Sequence, residues 1–251
     1  MIFAAATFAV LALAYADSRR GLAGQLRSDA EHARPDHSTG GLKTMPGNAP
    51  RKFLGFELLQ LDGSRVRWRG NGSDPITVSY AFLTKPAKFA GARNCTGMVP
   101  PDQLLRASNI SAAALRKEVA AAFRMWEAVA GIRFKETINF ETAGILIGAQ
   151  EQPLGRAFTD VAYNHNNGRV SDIKRSLVCL NPKQPWKIGF DGNKNVYDVR
   201  YTMAHEIGHA IGLDHPGRSG QLMSYRYEEH FRDLQAGDIA GAVTLYGSPQ
   251  R

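Results

Sequence analysis

Residues 205–215 read His205-Glu206-Ile207-Gly208-His209-Ala210-Ile211-Gly212-Leu213-Asp214-His215. On an α-helix His205 and His209 lie about 40° apart around the axis and about 6 Å along it, so both imidazoles can reach one ion. Glu206 projects to the side of that face, where it can take a proton from a metal-activated water without filling a coordination position. Gly212 suits the backbone that breaks such a helix, and three residues later the chain can return His215 as a third ligand. Three neutral nitrogens and an open fourth position make a catalytic rather than a structural zinc site. With the residue frequencies of this chain, the five fixed letters of HExxHxxGxxH arise by chance in roughly two of 10⁵ chains of this length. A polar surface helix with incidental histidines would also have to explain Gly208 in its interior, at a cost of about 1 kcal/mol relative to Ala.

The helix that carries this motif runs from Asp198 as cap to Gly212. Upstream, residues 111–130 form a second helix: Ser111 can cap it, Leu115, Val119, Phe123, Trp126 and Val129 recur at helical spacing, and Gly131 stops it. A third occupies about 234–246, with Ile239, Val243 and Tyr246 near one face. The 76–82 run Ile-Thr-Val-Ser-Tyr-Ala-Phe alternates with period two and reads as a strand, and shorter strands follow at 132–134, 144–148, 157–163 and 176–180. Strands and helices in this order predict an α/β sandwich of sheet and helices.

The other end of the chain speaks to location. Ile2 to Ala16 is uncharged and apolar, ends in Ala14-Tyr15-Ala16, and is followed by Asp17, Arg19 and Arg20. This predicts a signal peptide over 1–16, hence a secreted or otherwise extracytoplasmic protein, with no stable membrane insertion after cleavage. The stretch is short of the ~20 residues of a spanning helix. Residues 17–52 show no sustained apolar period and read as a mobile linker or tail, so one compact domain is expected over 53–251. The 251 residues carry 31 Lys+Arg against 23 Asp+Glu, a formal charge of +8. No run of five like charges occurs, so the excess reads as a solvated surface and no nucleic-acid partner is expected.

On these residues the sequence resembles the metzincin zinc endopeptidases, and among them the matrixins. The signature is matched at His205, Glu206, His209, Gly212 and His215. Leu222-Met223-Ser224-Tyr225 lies where the family has its Met-turn, at the short matrixin spacing but with serralysin-like wording. The resemblance implies a twisted, mostly parallel five-stranded sheet with two long helices and a third, C-terminal helix, and Met223 as a floor under the metal. It also implies one catalytic Zn2+ held by His205, His209 and His215, and a protein or peptide substrate hydrolysed with Glu206 as general base. Tyr225 has two readings: an oxyanion-stabilising catalytic residue, as in serralysins, or a wall of the pocket beyond the scissile bond, as the matrixin spacing favours. A monomer is expected.

The second, structural zinc of many matrixins is not expected, because His165 is the single histidine between Gly131 and Ala204. Calcium stays open: Asp160, Asp172, Asp191 and Asp198 offer oxygen ligands but in no loop of diagnostic spacing. In an exported protein Cys95 and Cys179 most simply form one disulfide; two unpaired thiols are the alternative.

Overall fold

Residues Ile145–Gln150 are buried at all six positions, which places this strand in the middle of a sheet covered on both faces. The structure is a computed structural model that describes residues 55–70, 75–166, 168–217 and 220–249. The expected signal segment 1–16 and the 17–52 linker lie outside the described residues. Beside the central strand run Ile76–Phe82 and Val170–Leu180, both parallel to it, and Ile132–Glu136 lies parallel to the far side of 76–82. Ala157–Asn164 closes the other edge, antiparallel to 170–180. These are the five strands the sequence predicts, mostly parallel, in the order 132–136, 76–82, 145–150, 170–180, 157–164. Four short pieces, Gln60–Leu61, Ser64–Arg67, Ala87–Lys88 and Gly97–Val99, extend the sheet to nine.

One face of the sheet is covered by α2 (Ala112–Glu127) and α3 (Val199–Ala210). Ser111 caps α2, its hydroxyl accepting from the Ala114 N–H at 3.1 Å. The buried stripe Leu115, Val119, Phe123 and Trp126 then faces inward. Phe123 stacks on Tyr80 of the sheet with 4.1 Å between centroids, and the Trp126 indole N–H donates to the Ala204 carbonyl of α3 at 2.9 Å. Truncating so large a buried anchor as Trp126 costs about 3–5 kcal/mol.

One reading changes, and one helix was not anticipated. The sequence stops this helix at Gly131, but it ends at Glu127 with Ala128 as a right-handed cap. The glycine serves a close approach instead: a Cβ at residue 131 would lie 2.5 Å from the Tyr246 carbonyl oxygen. A further helix, α1 (Asp102–Ser108), precedes α2; with Leu104 its one buried residue, it leaves no apolar period to read. The C-terminal helix α4 spans Ala236–Tyr246, as expected.

A second, smaller core cluster forms where Phe89, Ala92 and Cys95 of the loop within 83–99, together with Phe140 and Ala143, pack against the sheet residues Ala81, Leu146, Leu177 and Cys179. Cys95 and Cys179 form a disulfide across 84 residues, joining the loop after the first long strand to the 170–180 strand. Asp160 holds the same loop, its carboxylate accepting the N–H groups of Arg93, Asn94 and Cys95 at 2.8–3.0 Å.

Candidate metal centre

The helix that bears the histidines is fixed at both ends. Asp198 caps α3, accepting from the Tyr201 N–H at 2.8 Å. At the other end the Ala210 carbonyl, left over by the helix, accepts from the Trp68 indole at 3.0 Å and the Ser176 hydroxyl at 2.9 Å. Gly212 then turns the chain with φ of +103°, and a Cβ there would sit 2.2 Å from the Val66 carbonyl oxygen, so it is required twice over. The returning segment is held by antiparallel pairing of Glu57–Leu58 with Leu213–Asp214. His215 follows directly.

These constraints bring three Nε2 atoms together. They stand 3.0 Å (His205 to His215), 3.1 Å (His205 to His209) and 3.2 Å (His209 to His215) apart. Three nitrogens this close could together hold one zinc ion and would leave a coordination position for water. His205 Nδ1 donates to the Leu222 carbonyl at 2.8 Å and His209 Nδ1 to the Leu213 carbonyl at 2.9 Å. That fixes the tautomer, so each Nε2 of these two presents a lone pair. Facing lone pairs at 3.1 Å repel unless an electron-pair acceptor sits between them. Burial holds the imidazoles neutral, taking His205 down to about 3 and His209 down to about 4. His215 is pushed far below the ordinary histidine range, by burial first and then by its two neighbours. Neutral imidazole is the ligating form, and the donor set fits a zinc ion.

Gly208 owes its place inside the helix to what lies beneath. A Cβ there would meet the Met223 sulfur at 2.2 Å and Trp126 at 2.9 Å. Met223 therefore packs directly under the histidine helix, 2% exposed. Its turn is held by Asp238 of α4, which accepts the N–H groups of Leu222 and Met223, both at 3.1 Å, and of Gln235 at 2.8 Å. The sequence reading missed Asp238. An acid at the third position of an amphipathic helix reads as an ordinary capping residue.

Glu206 is 6% exposed, and its carboxylate accepts from the Thr159 hydroxyl of the edge strand at 2.7 Å. Thr159 was missed too, because nothing local in the 157–163 run distinguishes it. Tyr225 lays its ring over His215, 4.2 Å between centroids at 31°. Glu206, His205, Tyr225 and Thr202 border a cavity of about 530 Å3 that runs on to Tyr197, Tyr201 and Tyr227. The structure thus brings together the expected ligands His205, His209 and His215 and the expected catalytic candidates Glu206 and Tyr225.

The four aspartates considered for calcium do not converge. Asp160 and Asp198 accept backbone N–H groups as described, Asp172 pairs with Arg69 at 2.9 Å, and Asp191 pairs with Lys187. Among the described residues, the three histidines are the one group of metal-ligating side chains whose donor atoms meet.

Two histidines on a helix, a third returned by a glycine turn and a methionine beneath define a class of metal-site architecture, and comparison with known proteins identifies the family. Residues 103–247 match the matrixin family profile, and the chain belongs to the matrixins. It is 32% identical over 139 residues to metalloendoproteinase 1-MMP of Arabidopsis thaliana, covering half of this chain and 36% of that protein. It is 26% identical to the hatching enzyme of Paracentrotus lividus, over 76% of this chain and 28% of that protein. Human matrix metalloproteinase-23 is also 26% identical, over 76% of this chain and 46% of its own length. The chain thus spans less than half the length of each of these curated relatives.

Proposed function

We propose that this chain is an exported zinc endopeptidase in which His205, His209 and His215 hold the metal and Glu206 is the general base. The observation that carries the reading is the triangle of Nε2 atoms 3.0–3.2 Å apart, with the Nδ1 protons of His205 and His209 committed to carbonyls. Zinc there would supply Lewis acidity, activating water and polarising the scissile carbonyl. Glu206 takes the proton of the attacking water and passes it to the leaving amine, and the Thr159 hydroxyl keeps its carboxylate oriented for both transfers. Among the described residues the strand Ala157–Asn164 is paired on one side only, by 170–180, so an extended substrate can lie along its other edge beside Glu206. Export rests on the 1–16 segment and agrees with the buried disulfide, which belongs to an oxidising compartment. No helix among the described residues is long and apolar enough to cross a membrane.

The test is cleavage of a diverse peptide pool with and without a zinc chelator, together with zinc content. The parent should bind about one zinc per chain and cut in a chelator-sensitive way. Glu206→Ala should keep the zinc and lose at least about 100-fold in rate, because the ligands are untouched and the base is gone. Parent-like cleavage by Glu206→Ala would refute the mechanism.

A further inference from the structure

The cavity that opens from His205 and Glu206 has a charge pattern that peptide-bond hydrolysis itself does not use. Among its described lining residues Glu206 is the single acid, whereas Arg156 and Lys183 bring two cations. The Arg156 guanidinium lies on the Tyr197 ring, 3.1 Å from Cζ to the ring centroid, with the Tyr227 ring 5.5 Å away. Asn181, 4% exposed, fixes this wall: its N–H donates to the Arg156 carbonyl at 2.8 Å and its side-chain amide donates to the Gly155 carbonyl at 2.7 Å. The Asn181 side-chain oxygen also accepts the Lys183 N–H at 2.8 Å, so one buried amide sets both cation-bearing stretches on the same side. Aromatic faces favour a delocalised cation, and the low dielectric that they create strengthens its attraction for an anion.

We propose that this cavity receives an acidic side chain of the substrate, next to the scissile bond, and that Arg156 binds its carboxylate while Lys183 adds positive charge at the rim. The inference rests on the endopeptidase reading above. A guanidinium carries five N–H donors in a planar fork that matches the two oxygens of a carboxylate. An aliphatic side chain in the same place would take water from the guanidinium and return no charge. The +8 balance of the chain favours the approach of acidic segments in the same sense.

The experiment is steady-state kcat/KM of the zinc-loaded full chain on peptides identical except at one residue flanking the cut. That residue is Glu, Asp, Gln, Leu or Lys, placed before and then after the bond. For the parent, the Glu or Asp peptide should exceed the Gln and Leu peptides by at least about tenfold on one side of the cut. Arg156→Ala should bring that ratio within about threefold, and Arg156→Glu should turn the preference to Lys. The Gln peptide and the unfolding midpoint check that both variants are folded, and the preference ratio is insensitive to a general loss of rate. A parent preference for Leu or Lys, or an acid preference that survives Arg156→Ala, overturns the inference alone. Failure of the parent to cleave these peptides and a mixed pool overturns the endopeptidase reading, and the inference with it.

Discussion

The Thr159 hydroxyl and the Glu206 carboxylate meet at 2.7 Å although 47 residues separate them in the chain. One stands on the edge strand of the sheet and the other on the histidine helix, and both are buried. The same hydroxyl also lies 3.0 Å from the Glu206 backbone carbonyl, so Thr159 holds both the main chain and the side chain of the proposed base and fixes its rotamer.

Thr159→Val keeps the shape and removes the donor. Activity should fall about 10- to 100-fold with zinc content unchanged. Parent-like activity of Thr159→Val at equal zinc content would remove Thr159 from the mechanism.

Asp238 accepts three backbone N–H groups, two of them from the turn that carries Met223. Asp238→Asn puts an NH2 group where acceptors are needed and should cost about 1–3 kcal/mol of stability. For a domain of this size that lowers the unfolding midpoint by roughly 2–4 °C per kcal/mol. Zinc should also be lost more readily on dialysis, because the Leu222 carbonyl that orients His205 belongs to the same turn. Unchanged unfolding and zinc retention would show that α4 does not hold the turn in place.

Tyr225 stacks on His215 and is 43% exposed, as a cleft wall would be. Tyr225→Phe keeps the ring, so kcat/KM should stay within about threefold of the parent. If the hydroxyl stabilises the oxyanion, kcat falls instead by about 10- to 1000-fold with KM little changed. Steady-state kinetics on one good peptide, at equal zinc content, separates the two outcomes; a kcat loss above about 30-fold would assign Tyr225 to catalysis.

Acid should act on the metal-free protein through the same histidines. Burial takes His205 down to about 3 and His209 down to about 4, below the ordinary value of 6.5. Their contribution to stability is therefore complete above pH 6.5 and is lost as pH falls through 4 and 3, where the unfolded chain binds more protons. The unfolding midpoint of zinc-stripped protein should drop across that window. Zinc-loaded protein should resist until protons displace the metal. A midpoint that is flat from pH 6.5 to 4 without zinc would contradict the burial of these imidazoles.

What the sequence determined by itself is what local geometry dictates. The 3.6-residue period placed His205, Glu206 and His209 on one helix, and Gly212 three residues before His215 marked the return of the chain, because spacing along a helix needs no partner. The stripe from Leu115 to Trp126 and the alternation of 76–82 were legible for the same reason. What only the tertiary structure decided rests on contacts between distant segments. Gly131 reads as a helix stop, yet it is needed because the end of α4 passes 2.5 Å from where its Cβ would be. Gly208 looked like a cost until Met223 and Trp126 were seen pressing on it. Thr159, Asp238 and Arg156 have no motif around them; their roles come from Glu206, the Met223 turn and Tyr197, which the folded sheet and helices carry to them across 15 to 47 residues. A periodic pattern records how one element faces the core, and the partner that a polar side chain meets there depends on how the elements pack.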